Sequence, residues 1–167
     1  AGGYDTALVA AKISGHASDV AYRCEIKNIN AINCRVRGQY NVATVVGNCD
    51  NVGEITNCSV VRSNVAASHD AGAAASFQSS VECNVEASGT GTTGVNIGTI
   101  AGTVTGALAI SKCSSAVSVS GYSNVGGLVG NGNGSFTITD CYYAGGLVKA
   151  NSNVGGILGR AEAAVTI

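Results

Sequence analysis

The sequence of 167 residues lacks proline, methionine and tryptophan, and charged residues make up only 11% of it. The absence of proline excludes collagen-like and polyproline helices. Nine basic and ten acidic residues leave a net charge of −1, so the chain lacks the positive charge that nucleic acids and anionic membranes attract. No apolar run reaches the roughly 20 residues of a membrane span, and we expect no membrane insertion. At 46% hydrophobic residues, the composition also excludes a disordered chain.

Glycine is abundant instead, with 24 copies spread along the chain. A glycine inside a helix costs about 1 kcal/mol relative to alanine, which disfavours helices. Many of the residues between the glycines are β-branched, which favours strands. At this length, we expect a single all-β domain over residues 1–167.

Five of the seven cysteines recur in similar local settings, at spacings of 24, 25, 30 and 28 residues. In most copies a polar residue precedes the cysteine and a valine follows two residues later, which places cysteine and valine on one face of a strand. Because both side chains are apolar, this face is predicted to point inward, with Ala11 at the equivalent position of an earlier repeat. The predicted inward column consists of Cys34, Cys58, Cys83, Cys113 and Cys141.

A second motif, rich in glycine, alternates with the cysteines. It reads Asn-Val-Gly-Gly-Leu-Val-Gly at 124–130 and Asn-Val-Gly-Gly-Ile-Leu-Gly at 153–159, with a looser copy at 41–47. A phosphate-binding loop would end in Gly-Lys-Ser/Thr and open a helix, and this motif does neither. Its recurrence indicates tight corners at which only glycine fits. The predicted corner glycines are Gly38, Gly47, Gly121, Gly127, Gly130, Gly156 and Gly159.

A period of 24–30 residues with short apolar stretches and Gly/Asn/Ser turns predicts a parallel β-solenoid of about six coils. A right-handed path is the default for parallel β connections. Leucine-rich repeats need leucine columns, and tetratricopeptide and ankyrin repeats need helices, so these architectures fit less well. Neither end carries an amphipathic helix or a charged tail, so both ends are expected to be uncapped.

The remaining cysteines, Cys24 and Cys49, lie 25 residues apart and predict a second, shorter column. Two alternatives stay open for the cysteines. They are buried thiols that pack as small apolar side chains, or neighbouring coils are joined by a disulfide such as Cys24–Cys49 or Cys34–Cys58. The two histidines, His16 and His69, are far apart and no Cys-x-x-Cys pair occurs, so we expect no zinc site and no cofactor.

The two glycine motifs, together with Thr-Ile-Thr-Asp-Cys-Tyr-Tyr-Ala at 137–144, resemble the GLUG repeat of bacterial cell-surface proteins. That repeat also occurs in the amino-terminal region of some secreted immunoglobulin A peptidases. The resemblance covers 113–160 closely and weakens toward the amino terminus. It implies a secreted or surface-displayed repeat module, and it carries over no catalytic residue, because the motif is structural in that family.

Candidate polar sites are sparse in this sequence. The residue before each cysteine is polar or charged with mixed sign, which predicts a solvated face rather than a catalytic cluster. Two pairs, Thr103 with Thr105 and Thr137 with Thr139, are isolated and do not predict the threonine column typical of ice-binding solenoids. Asn133 begins an Asn-Gly-Ser sequon in a predicted turn and is a candidate glycosylation site.

The sequence therefore predicts a non-catalytic, extracellular or cell-surface structural protein. Because it begins without methionine, we expect a processed form or an excised fragment. It would serve as an adhesin-like module or as a subunit of a self-stacking filament, with end-to-end contacts at Leu8, Val9, Val165 and Ile167. Continuation into a longer repeat protein is the alternative to end-to-end self-association. A module that binds a host glycan, a host protein or ice is one alternative. An accessory domain of a larger secreted enzyme is another.

Overall fold

The computed structural model describes residues 5–14, 24–50, 53–61, 84–87, 95–144 and 147–167. These residues form short β-strands and no helix. In chain order the strands are β1 (Ala10–Ser14), β2 (Cys24–Lys27), β3 (Asn30–Ile32), β4 (Arg35–Gly38), β5 (Tyr40–Val42), β6 (Val46–Asp50), β7 (Gly53–Thr56), β8 (Ser59–Val61), β9 (Asn84–Ala87), β10 (Val95–Ile97), β11 (Ala101–Val104), β12 (Leu108–Ser111), β13 (Ser114–Ser115), β14 (Ser118–Ser120), β15 (Ser123–Gly126), β16 (Val129–Gly132), β17 (Phe136–Thr139), β18 (Tyr142–Tyr143), β19 (Val148–Lys149), β20 (Ser152–Gly155), β21 (Leu158–Ala161) and β22 (Val165–Thr166).

Each strand pairs in parallel with the strand five places later in the chain, which produces five sheets. Sheet 1 contains β1-β6-β11-β16-β21, and sheet 2 contains β2-β7-β12-β17-β22. Sheet 3 is β3-β8-β13-β18, sheet 4 is β4-β9-β14-β19, and sheet 5 is β5-β10-β15-β20. The predicted all-β class and the parallel stacking of repeats are confirmed, and the arrangement agrees with a β-solenoid.

The predicted number of about six coils is not confirmed. Sheets 1 and 2 contain five strands, and the other three sheets contain four, among the residues that the structure describes. Residues 62–83 separate β8 from β9, whereas only Ala116 and Val117 separate β13 from β14. Because β8 pairs directly with β13, no strand lies between the levels of Cys58 and Cys113.

Aliphatic columns fill two adjacent cores. In sheet 2, Ile26, Ile55, Ile110 and Ile138 pair in register, and the last three are almost completely buried. Fully burying such a side chain stabilises the fold by about 1.5–3 kcal/mol. The larger core lies within sheets 1, 2 and 3, and a smaller one lies between sheets 4 and 5. Small and β-branched side chains fit these narrow interiors.

Several of the predicted corner glycines lie inside strands instead. Gly47, Gly130 and Gly159 belong to β6, β16 and β21 of sheet 1, and Gly38 is the last residue of β4, so the corner prediction was wrong for these four. For the three glycines of sheet 1, the physical reason is close approach to the backbone of sheet 5, since a Cβ on Gly130 would lie 2.4 Å from the Ile97 nitrogen. A Cβ on Gly38 would instead lie 2.7 Å from the Val42 side chain. The other predicted corner glycines lie between strands, namely Gly121, Gly127 and Gly156.

Candidate functional site

A ladder of side-chain amides runs the length of sheet 5. Asn153 Nδ2 donates to Asn124 Oδ1 over 2.7 Å, and Asn124 Nδ2 donates to Asn96 Oδ1 over 2.8 Å. Asn96 Nδ2 donates to Asn41 Oδ1 over 2.9 Å, and Asn41 Nδ2 donates to Asp5 Oδ1 over 2.6 Å. Every asparagine amide donates toward the amino-terminal end of the stack, and Asn41, Asn96 and Asn124 also accept from the other side. The ladder therefore has a direction.

Backbone conformation explains why these positions are asparagine. All five ladder residues have positive φ, from 37° at Asp5 to 64° at Asn96. Asparagine and aspartate occupy this left-handed region at lower cost than other residues with a Cβ. Sequence reasoning missed the ladder, although its signal is the asparagine that opens each glycine motif, at Asn124 and Asn153.

The carboxyl-terminal end of the stack leaves its apolar columns open. In sheet 5, Val42, Ile97 and Val125 are fully buried, whereas the next member of that column, Val154, is 49% exposed. Ile167 follows the strand that stacks on β17, directly beyond the sheet 2 column, and is 70% exposed. The predicted end contacts Val165 and Ile167 therefore lie at this end, where Val165 pairs with Phe136. We name it the open end, formed by β18, β19, β20, β21 and β22.

The other predicted end contacts lie at the opposite end of the stack. Leu8 and Val9 are 57% and 44% exposed, and both backbone amides donate to the Thr44 carbonyl, over 3.0 and 3.3 Å. Nearby, Lys12 begins a column of sheet 1 that ends at Arg160. Each end of this column therefore carries a cation.

Three of the predicted column cysteines lie in register in neighbouring coils. Ser59, Ser114 and Tyr142 are paired strand residues, so the residues that precede them, Cys58, Cys113 and Cys141, are aligned. Cys58 and Cys113 are buried, and Cys141 is partly buried. We call these three residues the thiol column.

Cys34 does not belong to the thiol column, so its predicted place there was wrong. Asn30 pairs with Ser59, which puts Ile29 at the level of Cys58. Cys34 lies two residues after β3, where its thiol donates to the Ile32 carbonyl over 3.4 Å. The prediction for Cys83 falls outside the described residues.

The predicted second column of Cys24 and Cys49 was also wrong. Cys24 pairs with Gly53 in sheet 2, whereas Cys49 pairs with Ile13 in sheet 1. Both are free thiols, and burial raises the pKa of Cys49 to about 12. Such a thiol is not an activated nucleophile.

The polar positions that precede the thiol column form exposed corners. Asn28, Asn57, Lys112 and Asp140 occupy one register position, all have positive φ, and all are exposed. Asn57 Nδ2 donates to Asn28 Oδ1 over 2.7 Å, a short second amide ladder. These residues shape the backbone turn rather than gather charge at one site.

The outer face of sheet 2 carries hydroxyl groups in two adjacent columns. Thr56, Ser111 and Thr139 pair in register, and the Thr56 and Ser111 oxygens are 3.0 Å apart. Thr137 lies in the next column between Ala109 and Thr166, and these three residues also line an open groove of about 410 Å³. Both threonine pairs are isolated in the sequence, but stacking of the coils places Thr137 and Thr139 in columns. We call this surface the hydroxyl face.

The other threonine pair does not join the hydroxyl face. Thr103 is 6% exposed, and its hydroxyl donates to Asn41 Oδ1 over 2.7 Å, so it supports the amide ladder. Thr105 donates to the Cys49 carbonyl and to Asp50, both over 3.1 Å.

Two paired carboxylates on sheet 2, those of Glu25 and Glu54, share one lysine. Lys27 Nζ lies 3.1 Å from Glu25 and 3.3 Å from Glu54. The Thr56 hydroxyl and Lys27 lower the pKa of Glu54, which opposes a general-acid role.

Within the described ranges, no three histidine, cysteine, aspartate or glutamate residues are placed to hold a metal ion. The same ranges contain no helix that is long and apolar enough to cross a membrane. Comparison with protein-family models, with curated proteins and with solved structures finds no significant match to the chain.

Proposed function

We propose that this chain is a non-catalytic structural module, a right-handed β-solenoid rod segment that another solenoid coil extends at the open end. The observation that carries the proposal is the abrupt exposure of continuous interior columns, as at Val154 after the buried Val125. The edge strands of all five sheets end there together. Unpaired parallel edges over an open apolar interior form a template for a further strand layer.

The ladder specifies what the next coil must carry. Asn153 is the last member of the ladder and uses its amide nitrogen on Asn124, so its oxygen is the group that faces a further coil. A coil with asparagine at this position would donate to that oxygen and continue the ladder in the same direction. The preferred partner is therefore an asparagine-bearing coil.

A second copy of the chain fits this requirement less well. Stacked with the same polarity, its Asp5 would lie over Asn153, and an ionised carboxylate has no hydrogen to donate. Its Lys12 would lie over Arg160 in sheet 1, which places like charges opposite each other, a repulsion that the ion pairs Lys12–Asp50 and Arg160–Glu162 reduce. These two mismatches favour a module of a longer solenoid over a self-stacking filament subunit.

The resemblance of 113–160 to the GLUG repeat supports a secreted or bacterial cell-surface location for the module.

Strands of one sheet recur at 28- and 29-residue intervals in the carboxyl-terminal half, as the ladder residues Asn96, Asn124 and Asn153 show. Right-handedness rests on the strong preference of parallel β connections. The described strands support four coils and part of a fifth.

Sedimentation velocity over a wide concentration range tests the choice between module and filament. The wild-type chain should remain monomeric at neutral pH. Asp5→Asn supplies the missing donor and should strengthen any end-to-end association, whereas the matched control Asp5→Ala should not. Filaments of the wild-type chain that are insensitive to both substitutions would contradict the module and support a self-stacking fibre subunit.

The hydroxyl face favours a second candidate function, recognition of ice or of a glycan surface. Its columns present Thr56, Ser111 and Thr139 at the strand spacing of about 4.8 Å, on a face with few charges beyond Lys27 and its partners. Thermal hysteresis and a glycan array would measure the two activities. Thr139→Glu should abolish either one, and the control Ala116→Glu, on an exposed residue of another face, should not. No response in either assay would reject this candidate.

A further inference from the structure

The thiol column places three cysteines where only neighbours can react. The aligned strands β8, β13 and β18 are about 4.8 Å apart, within the range of Cα separations that a disulfide can bridge. Cys113 is the middle member, so it has a partner on either side, whereas Cys58 and Cys141 each have Cys113 alone within the column. At most one disulfide can form among the three.

The sulfur atoms share one orientation. Each thiol donates to the carbonyl two residues earlier, over 3.4 Å at Cys58 and 3.2 Å at Cys113 and Cys141. The backbone amide of Cys113 donates to Cys141 Sγ over 3.3 Å, which holds that sulfur against the Cys113 backbone. The pair Cys113–Cys141 is therefore already in close contact.

Accessibility distinguishes the two candidate pairs. Cys58 is 1% exposed and directly precedes β8, an inner strand of sheet 3 that lies between β3 and β13. Cys141 is partly exposed and directly precedes β18, the edge strand of sheet 3 at the open end. In the chain without a further coil at the open end, an oxidant in solution reaches Cys141 first.

Hydrogen bonding also activates Cys141. Contact with the Cys113 side chain lowers the pKa of Cys141 to about 7, and it also lowers the pKa of Cys58. The same contacts and burial raise the pKa of Cys113. A thiolate is the species that attacks a disulfide, so Cys141 combines access with reactivity.

We propose that Cys141 and Cys113 form a disulfide-forming pair that staples the edge strand β18 to β13, with a small-molecule disulfide as the oxidant. The Cys141 thiolate attacks one sulfur of the oxidant RS–SR, and RS⁻ leaves and takes up a proton. Cys113 then loses its proton and attacks Cys141 Sγ, which expels the second RS⁻. Two protein thiols and RS–SR become one protein disulfide and two RSH, while Cys58 stays reduced.

Peptide mapping tests the pairing directly. No lysine or arginine lies between Lys112 and Lys149, so trypsin releases Cys113 and Cys141 on one peptide. After incubation with oxidised glutathione at pH 8, denaturation and alkylation, this peptide should carry no alkyl group and should be lighter by two hydrogens than its reduced form. The peptide with Cys49 and Cys58 should carry two alkyl groups. Dithiothreitol should reverse the change.

Two variants separate the pair from its neighbour. Cys58→Ser should leave the Cys113–Cys141 disulfide unchanged, and Cys141→Ser should prevent any disulfide in the column. The oxidised wild-type chain should also unfold at a higher urea concentration than the reduced chain, a shift that Cys141→Ser lacks. Alkylation of both Cys113 and Cys141 after oxidation, glutathione retained on Cys141, or a Cys58–Cys113 disulfide would each overturn the proposal. None of these outcomes bears on the module function, which sedimentation tests.

Discussion

Replacing the central ladder residue, Asn124→Ala, should destabilise the solenoid by about 3 kcal/mol. Asn124 is 5% exposed, accepts from Asn153 and donates to Asn96. Losing two hydrogen bonds costs about 1 kcal/mol each. Alanine in the left-handed region, where Asn124 has a φ of 55°, adds about 1 kcal/mol.

Matched variants divide this loss into its two causes. Asn124→Gly removes the hydrogen bonds without the backbone strain and should cost about 2 kcal/mol. Asn153→Ala, at the exposed end of the ladder, breaks one hydrogen bond and places alanine at a φ of 53°, so it should cost about 2 kcal/mol, less than Asn124→Ala. The exposed Asn133→Ala is the control and should change stability by less than about 0.5 kcal/mol.

Urea unfolding followed by circular dichroism measures the series. The account predicts the largest loss for Asn124→Ala, similar intermediate losses for Asn124→Gly and Asn153→Ala, and the smallest loss for Asn133→Ala. If Asn124→Ala is as stable as Asn133→Ala, the amide ladder does not hold the coils together. If Asn124→Gly equals Asn124→Ala, positive φ contributes nothing at this position.

Gly130→Ala places a Cβ 2.4 Å from the Ile97 nitrogen and should lower the urea midpoint of unfolding strongly. Gly156→Ala is the control, because a Cβ there has no neighbour within 4 Å, and it should leave the midpoint unchanged. Equal midpoints for the two variants would contradict the close approach of sheets 1 and 5. Ile110→Ala should cost about 2–5 kcal/mol in the same assay because its side chain is fully buried, and a loss below about 1 kcal/mol would contradict the packing of that column. In a thiolate absorbance titration, Cys141 should ionise as the pH rises through about 7, while Cys113 stays protonated. Cys113→Ala should shift this step to higher pH because the thiol beside Cys141 is lost, and Cys113→Ser should retain it. Identical titrations of the two variants would contradict the contact between these thiols.

The repeat was readable from the sequence because its period is carried by residues with strong local requirements. Glycine motifs and cysteines recur at equivalent positions of successive coils, and this recurrence was enough to predict parallel stacking. The register of the first coil was not readable from cysteine alone. Ile29 occupies the level of Cys58, and the better signal is the isoleucine three residues earlier, at Ile26 and Ile55.

The ladder depends on contacts between coils, and the glycine positions depend on contacts between sheets. Asn41 and Asn96 are far apart in sequence, and only stacking shows that their amides meet at 2.9 Å. Gly47 and Gly130 are needed because sheet 1 approaches sheet 5, a proximity that no local pattern encodes. The hydroxyl face was hidden for the same reason, since Thr139 and Ser111 become neighbours only through pairing of β12 with β17.

The central claim, that the open end accepts another coil, is tested most directly by adding one. Thr166 pairs with Thr137, so a copy of residues 139–167 joined after Ile167 should continue the five sheets by one coil. The extended chain should unfold at a higher urea concentration than the original, and Asn153→Asp in the appended copy should remove much of that gain. An unchanged urea midpoint, with the extension cut by protease like an unfolded tail, would contradict the account.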